Sequence, residues 1–130
     1  MKLLMYYDGT DHSRQSLPVV RMRAKALNAT VHVITSLSRW GEPDLREIDR
    51  RKDGLNAIKA ALERENIACQ THLLLAKDRN AGDDIVEFAS THEVDEIIMG
   101  TDRSSGKETY VPGWLINHVI GRARCPVLII

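Results

Sequence analysis

Short apolar runs alternate with longer stretches in which apolar residues recur at helical spacing. Lys2 to Tyr7 is apolar without alternation and stops at Asp8-Gly9, which predicts a strand buried on both faces, as parallel strands are. Thr30 to Leu37, Ala68 to Ala76, Asp95 to Met99 and Cys125 to Ile130 read as four further strands. Thr10 or Asp11 caps a first helix, with Leu17, Val20, Ala24 and Leu27 inward and Asn28-Ala29 at its end. Pro18 falls inside it and should kink the helix or move its regular part downstream, at a cost of about 3 kcal/mol if nothing adapts.

After a loop from Ser38 to Pro43, the highly charged stretch Asp44 to Asn66 carries a stripe of Leu45, Ile48, Leu55, Ile58 and Leu62. Its charges read as a solvated helix face, and Gly54 weakens its middle by about 1 kcal/mol relative to Ala. Gly82 to His92 predicts a helix with Ile85, Phe88 and Ala89 inward, and a last helix carries Leu115, Ile116 and Val119. Strands alternating with helices imply right-handed crossovers and a doubly wound α/β sandwich, five parallel strands with helices on both faces. In such sheets ligands bind outside the carboxyl ends of the strands, where the winding direction reverses.

Composition narrows the function classes. A chain of 130 residues fits a single domain spanning 1–130, since a domain of this size buries about two-thirds of its unfolded surface. Lys plus Arg and Asp plus Glu both number 18, so no global field favours nucleic acid or an anionic membrane, and an anion site must be local. No apolar segment approaches the roughly 20 residues that cross a bilayer. Cys69 and Cys125 lack metal-type spacing and read as small buried residues at strand starts in a reducing, cytoplasmic setting. The histidines, His12, His32, His72, His92 and His118, fall one per element with no helical metal spacing and no legible nucleophile–base arrangement. Ser13, Ser104 and Ser105 have no identifiable base partner.

The last third of the chain has a phosphate-binding layout. The run Ile97-Ile98-Met99 stops at Gly100, a polar loop with Arg103, Ser104, Ser105 and Gly106 follows, and Gly113-Trp114 opens the last helix. Glycine-loop N–H groups and a helix N-terminus can converge on one anion there. A Walker reading of Gly106-Lys107 fails, because Thr101 stands where the first glycine is needed and Glu108 where a hydroxyl must hold magnesium.

Gly100, two residues, Arg103, nine residues, Gly113 and Trp114 resembles the nucleotide loop of the universal stress protein family, which reads Gly, two residues, Gly, nine residues, Gly, then Ser or Thr. The opening Leu3-Leu4-Met5-Tyr6-Tyr7-Asp8-Gly9-Thr10 resembles that family's first strand and turn, and Cys125-Pro126-Val127-Leu128 its closing strand. The resemblance spans the chain and implies the strand order 3-2-1-4-5, with the switch point between the first and fourth strands. It also implies an adenine nucleotide, ATP or AMP with magnesium, and a set of contacts. Asp8 lies beside the ribose, unless it serves only as a turn cap. Backbone at Thr35, Ser36 and Leu37 meets adenine, and Gly100 and Gly113 admit phosphate, with Gly106 in a turn.

Two positions depart from the family. Arg103 replaces a loop glycine, and either blocks the backbone approach or pairs with phosphate itself. Trp114 replaces a hydroxyl donor whose loss costs about 1.5–3 kcal/mol. The resemblance thus implies a cytoplasmic stress-response protein, a homodimer paired through Val127–Ile130, with a weakened nucleotide site and no efficient catalysis. A nucleotide-free interaction module and a slow nucleotide hydrolase are the rival readings.

Overall fold

In a computed structural model the described residues are 1–37, 44–75, 78–100 and 113–130, with the side chains at 11 and 12 excepted. Strands β1 (Lys2–Tyr6), β2 (Thr30–Ser36), β3 (Cys69–Leu74), β4 (Glu96–Met99) and β5 (Val127–Ile129) alternate with helices. The helices are α1 (Asp11–Arg14), α2 (Leu17–Leu27), α3 (Leu45–Glu63), α4 (Ala81–Thr91) and α5 (Gly113–Arg122). The sheet is parallel throughout, in the order β3-β2-β1-β4-β5. The doubly wound fold and its implied strand order are therefore both present.

Side-chain alternation along the strands divides the core in two. Leu3, Met5, Tyr7, Val31 and Val33 pack with Val20, Ala24, Leu55, Ile58 and Leu62 of α2 and α3. Leu4, Tyr6, Ile34, Ile97 and Met99 pack with Ile85, Phe88, Leu115 and Val119 of α4 and α5. Continuous apolar strands arise because both faces are covered.

Several elements differ from expectation for local reasons. Pro18 is not interior: the chain makes the short α1, restarts with Ser16 at the N-cap of α2, and places Pro18 in the first turn. There its missing N–H is one that a helix start leaves unpaired anyway. Asn28 ends α2 in the left-handed conformation at φ 51°. Leu27 and Leu45 are exposed, so α2's stripe ends at Ala24 and α3's begins at the half-buried Ile48. Gly54 has a packing cause that propensity misses, since a Cβ there would lie 2.0 Å from the Tyr7 hydroxyl. Helix α4 begins one residue early because Asn80 and Asp83 form a capping box. Gly82 on α4 makes room for His118 of α5, whose Nε2 lies 3.0 Å from Asp83 Oδ1, poorly aligned for a hydrogen bond.

Cys69 is buried at the start of β3 as expected, and burial pushes its thiol up to about 11. Cys125 is instead half-buried and precedes β5 by two residues. Burial raises its thiol as well, so neither cysteine favours the reactive thiolate.

Candidate functional site

The chain leaves β1 through Tyr7 and turns at Asp8-Gly9-Thr10. Asp8 Oδ1 accepts from the Thr10 amide at 2.9 Å and from the Thr10 hydroxyl, an Asx turn that Gly9 permits by adopting φ +88°. The Asp8 amide donates to Ser13 Oγ at 3.3 Å, and Ser13 Oγ donates back to the Thr10 carbonyl at 2.9 Å. Asp8 is thus a turn-organising residue whose Oδ2 takes no part in these bonds.

β1 and β4 are neighbours with Met5 opposite Ile98, so continuing the register sets Gly100 level with Tyr7, one residue before Asp8. Gly100 is buried directly after β4. α5 runs antiparallel to the strands that it connects, which places Gly113 and Trp114 at the sheet's carboxyl end too. A Cβ on Gly113 would meet nothing within 4 Å, so packing among the described residues does not explain this glycine. Trp114 is 53% exposed. Arg103 and Gly106, like Ser104, Ser105 and Lys107, lie outside the described residues.

Thr35 and Ser36 end β2 pointing to opposite faces, and each hydroxyl meets a charged side chain from a different layer. Ser36 Oγ donates to Asp84 Oδ2 of α4 at 2.7 Å, and Asp84 Oδ1 accepts from Arg79 Nε at 3.0 Å. On the other face Thr35 Oγ1 accepts from Arg51 Nη1 of α3. Arg51 Nε also donates to Glu47 Oε1 at 2.8 Å, and Glu47 pairs with Arg50 as well. Burial works against ionised Glu47, yet hydrogen bonds from Arg50 and Arg51 outweigh it and lower its pKa. Tyr6, on the α4 and α5 face of β1, is pushed up to about 12 by burial and then by Asp8, with Arg51 opposing.

The structure brings Asp8, Thr35, Ser36, Gly100, Gly113 and Trp114 to one end of one sheet. Tyr6, Arg51, Arg79 and Asp84 were missed. Arg51 had a legible signal, because it occupies the inward position of α3's stripe between Ile48 and Leu55. The sequence also scattered the histidines, whereas β2, β3 and the end of α4 bring three together. His32 Nδ1 lies 3.3 Å from His72 Nε2, and His92 stacks on Phe88 with ring centres 3.8 Å apart. Among the described residues no group of three or more His, Cys, Asp or Glu could hold a metal ion, and no helix is long and apolar enough to cross a membrane.

A doubly wound parallel sheet with Gly100 and Gly113 at the carboxyl end of its switch point defines a small α/β protein of the class whose ligands bind at that end of the sheet. The universal stress protein family model matches residues 1–130, and this chain belongs to that family. Universal stress protein MJ0531 of Methanocaldococcus jannaschii is 29% identical over 99% of this chain and 81% of its own length. A universal stress protein of Thermus aquaticus is 28% identical over 98% and 96% respectively. The universal stress protein of Archaeoglobus fulgidus in complex with dAMP shares the fold with a TM-score of 0.79 at 23% identity, covering 99% of this chain and 96% of that one.

Proposed function

We propose that this universal stress protein is a cytoplasmic stress-response homodimer that holds an adenine nucleotide, ATP or AMP, in a weakened site and has no efficient catalysis. The carrying observation is the juxtaposition of the Asp8 turn with Gly100 and the open Gly113 at the start of α5. Helix N–H groups at Gly113 and backbone at Gly100 would receive phosphate, and Asp8 Oδ2 would face the ribose or an accompanying magnesium ion. The dAMP complex of the Archaeoglobus fulgidus relative supports an adenine nucleotide as the ligand. Engagement of the Thr35 and Ser36 side chains by Arg51 and Asp84 leaves the β2 backbone end as the proposed adenine contact.

Arg103 and Trp114 are the reason for weakness. Replacing them with Gly and Ser restores one close backbone approach and one hydroxyl donor, and should tighten ATP binding at least about tenfold. Weaker binding in that double variant would mean that Arg103 is itself a phosphate ligand. The interaction-module reading is favoured by one observation, the exposed Trp114 at the start of α5. It prevails if the repaired loop still ignores ATP.

Among the described residues β5 pairs with β4 alone, so its outer edge is available to a second copy. Sedimentation equilibrium should return a dimer mass; a monomer mass at all concentrations would remove the proposed pairing through Val127–Ile130.

A further inference from the structure

Helix α3 places a charged residue where its apolar stripe should continue. Ile48, Leu55, Ile58 and Leu62 lie on its inner side, and Arg51 falls between the first two on that side with its side chain only 12% exposed. Glu47 Oε1 accepts from Nε at 2.8 Å, and Thr35 Oγ1 accepts from Nη1. The arm crosses Gly9, where a Cβ would come 2.3 Å from Nε, so any other residue at that turn would displace Arg51. Among the described residues Nη2 has no hydrogen-bond partner, and it is not one of the buried unpaired atoms.

The turn gathers two guanidinium groups, of Arg50 and Arg51, and two carboxylates, of Glu47 and Asp8. Arg50 donates to the Gly9 carbonyl at 3.3 Å and shares Glu47 with Arg51. The nearby Asp8 has Oδ1 committed to Thr10. A guanidinium already fixed on two sides loses little freedom when its third side is used.

We propose that Arg51 is a ligand-binding residue at the carboxyl end of the sheet, beside the Gly9 turn, donating from Nη2 to an oxygen of a phosphate group. This deepens the nucleotide reading, on which it rests for a phosphate ester; a free inorganic phosphate presents the same chemistry.

Chemical-shift titration of the full chain with adenosine, AMP and inorganic pyrophosphate tests it in wild type, Arg51→Met and Arg51→Lys. Wild type should bind AMP at least about tenfold tighter than adenosine, the value of one charge-assisted bond. Arg51→Met should close most of that gap while leaving adenosine unchanged. Arg51→Lys keeps the charge without the fork, should lose part of the gap, and decides the matter if Arg51→Met fails to fold. An unchanged gap, an equal loss for adenosine and AMP, or tighter binding in the variants would each overturn the role. Pyrophosphate binding without AMP binding, abolished in Arg51→Met, would sink the nucleotide reading and leave Arg51 standing. A wild type that binds neither would overturn both.

Discussion

At its carboxyl end β2 presents Thr35 to Arg51 and Ser36 to Asp84, while nearer its start it presents His32 to His72 and His92. In the first region every charge meets an opposite charge or a hydroxyl, and hydrogen bonds to Glu47 and from Arg79 favour their ionised forms. In the second, burial lowers His32 and His72, and the neighbouring rings and Lys2 add to the effect at His32. His92 completes the cluster, its ring stacked on Phe88 and its Nδ1 3.1 Å from the Phe88 carbonyl. One strand thus carries a charged cluster and a neutral one, and what separates them is whether counter-charges face inward.

The sharpest way to break the contrast is to remove a counter-charge. Asp84→Ala should cost about 2–3 kcal/mol in urea unfolding, because it removes a buried carboxylate to which Ser36 Oγ and Arg79 both donate. A loss below about 0.5 kcal/mol would place the Asp84 cluster among surface pairs of little consequence. Acid should separate the two regions next. His32 and His72 titrate below 6.5, so their stabilising neutrality is complete above that value and is lost as pH falls through their folded-state values. Glu47 lies below 4.5, so its contribution persists until more acidic conditions. The urea midpoint should therefore fall between pH 7.5 and 5, and His72→Gln should flatten that fall; a midpoint indifferent to pH in this window would contradict the neutral cluster. The smallest effect belongs to Pro18, which stands apart from both clusters. Its first-turn position fits its fixed φ, so Pro18→Ala should lower stability by about 0.4–1 kcal/mol. A gain would return Pro18 to the helix interior.

The strands were legible because burial on both faces writes itself as unbroken apolar runs, and their alternation with helical stripes carries the doubly wound class. The order 3-2-1-4-5 was legible only through Gly100, Gly113 and the Asp8 turn, whose spacing resembles a family pattern. Arg51 and Asp84 escaped because charged residues in amphipathic helices ordinarily face water, and only the inward phase of Arg51 in its stripe hinted otherwise. The histidine cluster escaped for a different reason: His32, His72 and His92 meet through strand pairing and a helix crossover, which leave no trace in local spacing. Pro18 was ambiguous because a proline ends one helix or begins another by the same chemistry.

The central claim is a family site whose phosphate loop is weakened at Arg103 and Trp114. Calorimetric titration of the wild-type protein with ATP tests it most directly. The account predicts a dissociation constant above about 100 μM, less than roughly 5.5 kcal/mol of binding free energy. A low-micromolar constant would contradict it and make these two residues part of an intact site.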